Sequence, residues 1–269
     1  MTPIRLGCVS YLNARPLVYG LDRNPRFAVR YDIPSECARL LHAHEIDLGL
    51  IPSIEYLRGP RPYGIVLGVA VASKGPVASV AIFTRKEPRD IRTLAMDTTS
   101  RTSVALATVL MRRVFNATPE PLPMQPDLDR MLQTADAALL IGDYALFVDH
   151  EAMGVRKIDL GQLWTEHTGL PFVYAFWAGW PHAVDVEEVA MLQDARDEGA
   201  AHVDDIACLH YPNDPVRQNI VSRYLRDNIK YSLDGIEGLS TFYRYAAEDG
   251  LVSFDGEFRF YHAVDRKPR

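Results

Sequence analysis

The chain is poor in cysteine. Of its 269 residues only Cys8, Cys37 and Cys208 are cysteines, far apart and without a Cys-X-X-Cys pair, which argues against a disulfide framework or a zinc ribbon. Cys8 and Cys37 fall in a strand-like and a helix-like run and read as buried free thiols. Long apolar runs are missing as well. None approaches the roughly 20 residues that span a bilayer. The opening MTPIRLGCVSYL has no basic stretch followed by an apolar one, so no secretory signal is expected and the cytoplasm is the default location. Basic charge is in deficit: 29 Lys and Arg against 35 Asp and Glu leave a net −6. Such a surface has no general attraction for nucleic acid or anionic lipid, and any bound anion must be drawn by a local site. Familiar catalytic signatures are absent too. There is no GxGxxG after the first strand, no Walker A loop, no GxSxG elbow and no HExxH. Internal repeats and low-complexity tracts are not found.

What is present is an ordinary globular composition, 48% hydrophobic and 24% charged, with length enough for one large or two modest domains. Residues 4–9 read as a short buried strand and 14–21 as a helix with Pro16 in its first turn, where a missing N–H costs little. Strands at 27–33 and 47–52 follow, each leading to a helical pattern, 34–46 and 53–58. This alternation argues for α/β layers around a largely parallel sheet. The stretch 64–86 holds two β-rich runs around the turn Ser73-Lys74-Gly75-Pro76. Further strands are expected at 92–96, 135–141 and 171–180, and helices at 104–115 and from 142. From about 184 the pattern is mainly helical. The order implies two α/β lobes, one from both chain ends (1–84 plus 180–269) and one from the middle (85–179). Two crossings join them, and a ligand cleft is expected between them.

Several strand-to-helix turns share a chemical style. Ser10-Tyr11-Leu12-Asn13, Pro52-Ser53, 97–103 and Gly142-Asp143-Tyr144 each precede a helix start. Free N–H donors and the positive end of the helix dipole suit carboxylate or phosphate there, and hydroxyls add neutral donors that turn to fit. Ser, Thr, Asn and Asp are also simply good caps. The stretch 97–103 exceeds what capping needs, with Thr98, Thr99, Ser100, Thr102 and Ser103 beside Arg101. Candidate ligand contacts are therefore Ser10, Ser53, Thr99, Ser100, Arg101, Thr102, Ser103, Gly142 and Asp143. Other features read as structural. His42 and His44 point to different sides of a helix and make a poor metal pair. Trp164, Phe172, Tyr174, Phe176 and Trp177 suit a core. Asp136 and Asp143 are a carboxylate pair only if the fold brings them together.

VSYLNARPL (9–17), IDLGLIPSIEYL (46–57), GPVASVAIF (75–83), DTTSRTSVALATVLM (97–111), ADAALLIGDYAL (135–146) and LGQLWTEHTGLPFVYAFWA (160–178) together resemble the menaquinone biosynthesis family of the futalosine pathway. The match is to its chorismate-dehydrating branch. The sister branch, which forms dihydroxynaphthoate, is expected to open with an Asn-Asp motif and to carry a catalytic histidine, and that pattern is not found. The resemblance implies a periplasmic-binding-protein type 2-like fold used as an enzyme, without metal or organic cofactor. It implies that chorismate loses water to give 3-[(1-carboxyvinyl)oxy]benzoate.

The chemistry suits these residues. A dicarboxylate needs two anion sockets. Loss of the C3 proton and the C4 hydroxyl aromatises the ring, so the protein mainly needs to orient, exclude water and stabilise developing charge. The expectation is that the substrate's own enolpyruvyl carboxylate takes the C3 proton. The resemblance points to Asn13 and Ser79 as the catalytic contacts. The bland alternatives are a helix N-cap for Asn13 and a backbone-bonded hydroxyl inside the strand 77–84 for Ser79. The rival functions are a non-enzymatic small-carboxylate binding protein and the dihydroxynaphthoate-forming sister enzyme. The oligomeric state is left open.

Overall fold

In the computed structural model, residues 2–232 and 235–261 are described. Residues 1, 233–234 and 262–269, all within segments assigned above to the first lobe, lie outside the described residues. The elements run β1 (Ile4–Val9), 3-10 helices at Leu12–Val18 and Leu21–Arg23, β2 (Phe27–Asp32), α1 (Pro34–His42), β3 (Leu48–Pro52), a 3-10 turn at Ser53–Tyr56 and β4 (Gly64–Ser73). There follow β5 (Val80–Thr84), β6 (Thr93–Asp97), α2 (Arg101–Phe115), β7 (Glu120–Met124), α3 (Leu128–Thr134), β8 (Ala137–Ile141), α4 (Gly142–Leu146), β9 (Arg156–Asp159) and α5 (Leu160–Thr168). The chain closes with β10 (Phe172–Gly179), α6 (Val186–Ala201), α7 (Val203–His210), α8 (Pro215–Arg223) and α9 (Glu237–Glu248).

These elements form two compact units. One comprises 1–72, 173–235 and 255–269, the other 73–172 and 236–254. The chain therefore passes between units at 72/73, 172/173, 235/236 and 254/255, whereas the sequence pattern suggests two crossings. β5, set with the first lobe by the boundary at 84/85, pairs with β8 and β9 of the second sheet. The segment 236–254 also joins the second unit. Gly238 of α9 lies against the Pro171 carbonyl group, and Asp249 accepts from Arg112 and Arg113 of α2.

The first unit is built on the sheet β2-β1-β3-β10-β4. β1 is parallel to β2 from Ile4↔Phe27 to Val9↔Asp32 and to β3 at Leu6↔Leu48 and Gly7↔Gly49. β10 is antiparallel to β3. The second sheet, β7-β6-β8-β5-β9, repeats the plan: β6 is parallel to β7 and β8, and β5 is antiparallel to β8 and β9. Both sheets are thus mixed rather than largely parallel. Gly7 and Gly49 let α1 lie close, since a Cβ on Gly7 would meet Ile46, with the Cys37 sulfur at 3.8 Å. Cys8 and Cys37 are buried free thiols, and burial pushes Cys37 up to about 12, which keeps it an inert thiol. In the second unit Trp164, Phe172 and Phe242 meet edge to face, an arrangement aromatic rings favour in cores.

Candidate active site

In the first unit the ends of β1 and β3 carry the candidates. Ser10 extends the β1–β2 pairing through its N–H to the Asp32 carbonyl (3.0 Å). The helix that follows is a 3-10 helix over Leu12–Val18, not one over 14–21, so Pro16 lies inside it rather than in its first turn. Tyr11 holds the cap position in extended backbone, with no side-chain cap. Asn13 is therefore not an N-cap. It sits half-buried in the helix, and among the described residues its side-chain amide has no hydrogen-bond partner. Ser53 differs. It is fully buried and its Oγ donates to the Val173 carbonyl (2.9 Å), tying the end of β3 to β10. The Arg15 guanidinium lies over the Tyr31 ring, 4.7 Å from its centroid.

In the second unit the candidates gather at one end of its sheet. β6 ends at Asp97 and α2 already begins at Arg101, so the polar stretch expected as a loop over 97–103 is a strand end, a short turn and a first helical turn. Ser100 is the cap of α2, accepting from Ser103 N (3.5 Å), and its Oγ lies 3.0 Å from Ser103 Oγ. Thr102 and Ser103 are buried while Arg101 is exposed. Thr99 donates twice to Asp97 Oδ1, from N (2.9 Å) and Oγ1 (2.7 Å). Gly142, at the end of β8, adopts φ +62°, a conformation glycine takes without strain. Asp143 is half-buried beside it. Asp136 lies at the opposite end of β8, bonded to Lys86 and to the N–H groups of Arg92 and Thr93. It makes no carboxylate pair with Asp143.

Ser79 is fully buried. It precedes β5 rather than lying within a strand over 77–84. Val80 pairs with Ile141, which sets Ser79 and Gly142 side by side at the end of the sheet where β6 finishes. A strained residue, Ala78, separates Ser79 from Val77. A strand reading from apolar residues misses this turn because Val-Ala-Ser carries no glycine or proline to announce it.

Sequence reasoning also undervalues Asp97. Its carboxyl is fully buried, and among the described residues Oδ2 has no hydrogen-bond partner. Burial raises its pKa, against the bonds from Thr99. The available signal is its place as the last residue of a buried strand before a hydroxyl-rich helix start. The histidines named above are engaged elsewhere. His42 bonds Tyr63 and Glu55, and His44 stacks on Trp180 (4.6 Å). Among the described residues no group of three or more His, Cys, Asp or Glu is placed to hold a metal ion. What the two sets offer is hydroxyl, amide and helix N-terminal donors, which bind and orient anions, together with one buried carboxyl.

Residues 4–248 match the model of the menaquinone biosynthesis family. The chain belongs to that family. The chorismate dehydratase of Thermus thermophilus is 31% identical over 254 residues, covering 87% of this chain and 91% of that protein. Solved structures show the same scaffold. A protein of Archaeoglobus fulgidus superposes with a TM-score of 0.69 at 19% identity, covering 93% of this chain and 99% of its own. The periplasmic aliphatic sulphonate binding protein of Escherichia coli gives 0.68 at 16% identity, covering 100% and 96%. A Candida albicans gene product described as having the generic periplasmic binding protein fold gives 0.66 at 11% identity, covering 95% and 93%. This menaquinone family member thus has a periplasmic-binding-protein-like fold with two α/β lobes, and no helix of its described residues is long and apolar enough to cross a membrane.

Proposed function

We propose that the protein is a chorismate dehydratase, a hydro-lyase that removes water from chorismate to give 3-[(1-carboxyvinyl)oxy]benzoate on the futalosine route to menaquinone. The observation that carries this is the 31% identity, over 87% of the chain, to a chorismate dehydratase. The chemistry of the candidate residues supports it. Elimination breaks the C3–H and C4–O bonds, and the ring becomes aromatic. The C3 proton is vinylogous to the ring carboxylate, so donors on that carboxylate stabilise charge as it develops. The hydroxyls at the start of α2, with the backbone N–H groups of Gly142 and Asp143, supply one anion socket. Ser10 marks the second, at the end of β1, while Ser53, whose hydroxyl is spent on the Val173 carbonyl, holds the neighbouring end of β3 in place rather than donating to the anion. The enolpyruvyl carboxylate of the substrate takes the C3 proton. Asn13, whose amide offers both donors and an acceptor, holds that carboxylate or the C4 hydroxyl in reactive orientation, and Ser79 is the second polar contact. No cofactor takes part, and we assign the reaction to the cytoplasm, where a biosynthetic enzyme meets this dicarboxylate.

Replacement of Asn13 by Ala tests the assignment. The folded variant should lose about a hundredfold or more in kcat, the scale of a removed transition-state donor. Wild-type turnover by a folded Asn13→Ala protein contradicts the catalytic role. Binding of chorismate without turnover by the wild type favours a receptor for small carboxylates instead.

A further inference from the structure

The turn before Ser79 is costly in two separate ways. Ala78 has φ +65°, and Ser79 N–H donates to the Val77 carbonyl at 2.8 Å. An i to i+2 bond around a residue of positive φ is a classical γ-turn, a rare and strained conformation. Asn116 also has positive φ, but it ends α2 and its side chain suits that region. Ala78 has no such compensation. The second cost is Lys157. Its ammonium is drawn into the protein to donate to the Ala78 carbonyl at 2.7 Å, close to the Phe83 ring, and burial lowers its pKa against the opposing pull of Asp159.

A single carboxylate completes the clamp. Asp159 accepts from Val77 N (3.0 Å) and Ala78 N (2.7 Å), while its Oδ1 also caps α5 through the N–H groups of Gly161 and Gln162 (both 3.0 Å). Both polar groups of Ala78 are therefore fixed, the N–H by Asp159 and the carbonyl by Lys157. Upstream, Gly75 N donates to Thr165 Oγ1 of α5 (2.8 Å). A relaxed turn would need none of this. Strained backbone persists where its surroundings over-determine it, and such sites cluster where geometry serves function.

We propose that Lys157 and Asp159 are positioning residues that hold the Ala78 γ-turn in its strained form and so set the Ser79 side chain in the orientation that the elimination requires. The inference rests on the reading of the protein as a chorismate dehydratase with Ser79 at the substrate. It adds two charged residues from β9 that touch no reacting atom. The brace trades stability for geometry, a recurrent feature of functional sites. A structural salt link or cap would not behave in that way.

The test uses the whole protein in three forms: wild type, Lys157→Met and Lys157→Met combined with Ala78→Gly. Lys157→Met replaces a half-buried cation by an apolar chain of similar length, and Ala78→Gly removes the steric cost of positive φ. Lys157→Met should keep or raise Tm, lower kcat about tenfold as a modest misplacement of a reacting group does, and leave KM within about twofold, whereas adding Ala78→Gly to it should restore part of kcat, because glycine takes the turn without a brace. Amide hydrogen exchange supplies a readout independent of turnover: Lys157→Met should speed exchange at Ser79. Lys157→Arg, which keeps a cationic donor, should recover part of kcat. Wild-type kcat in Lys157→Met overturns the brace while leaving the reaction standing. Loss of Tm and activity in proportion makes these residues merely structural and overturns it as well. A wild type that leaves chorismate unchanged overturns the reaction itself and with it any catalytic use of the brace.

Discussion

Gly199 tests whether the turn bearing Asn13 is held rigidly. It lies in α6, buried against the 3-10 helix Leu12–Val18. A Cβ there would fall 2.6 Å from Pro16 Cα and 2.7 Å from its carbonyl carbon, with the carbonyl oxygen nearer still. Carbon atoms in contact prefer about 3.5–4.0 Å, so one partner must move by about 1 Å. In an open helix Gly→Ala would gain about 1 kcal/mol. Forcing a methyl into a packed contact costs about 1–3 kcal/mol. Gly199→Ala should therefore destabilise by roughly 1 kcal/mol, a fall in Tm of about 2–4 °C for a protein of this size. The displaced helix carries Asn13, and a 1 Å misplacement at a reacting group costs about 100-fold. Thermal denaturation and steady-state consumption of chorismate measure both effects. A Gly199→Ala protein that is more stable by about 1 kcal/mol and keeps wild-type kcat would refute the reasoning, because it would show that the 12–18 helix yields without consequence.

Other outcomes follow from single groups. Asp97 is raised by burial, so the folded state holds its proton more tightly than the unfolded chain. Its contribution to stability falls as pH rises from the ordinary aspartate range through the raised folded value, and Asp97→Asn should gain in Tm over wild type as pH rises through that window. Equal pH profiles would contradict a buried, partly unsatisfied carboxyl. Glu188 is nearly inaccessible, closes the capping box of α6 with Asp185 and pairs with Arg26. Arg26→Ala should cost roughly 3 kcal/mol by stranding that charge, and Arg26→Met combined with Glu188→Leu should cost less than Arg26→Ala alone in urea denaturation. Ser100→Ala removes the cap of α2 and should cost about 1 kcal/mol, with a raised KM for chorismate. An unchanged KM would reduce Ser100 to a cap.

The strands β1, β3, β6 and β8 were legible because each is a short, mostly buried apolar run ending in a polar turn. β7 escapes such a reading. Its Glu-Pro-Leu-Pro-Met sequence has two prolines, which a strand tolerates only at a sheet edge, and β7 is at the edge of its sheet. The membership of α9 in the second unit was hidden because its ties to α2 and Pro171 span long stretches of chain. At the site, local composition revealed hydroxyl-rich helix starts. It did not reveal that Ser53 is committed to the Val173 carbonyl, that Asn13 is not a cap, or that Asp159 gathers two loop amides and two helix amides. Each of those depends on which strands become neighbours.

The most direct measurement is to mix the purified protein with chorismate, without added metal or cofactor, and follow the ultraviolet absorbance and mass of the products. The account predicts stoichiometric conversion to 3-[(1-carboxyvinyl)oxy]benzoate and water, at a rate reduced about a hundredfold or more by Asn13→Ala. Chorismate that binds and remains unchanged would contradict it.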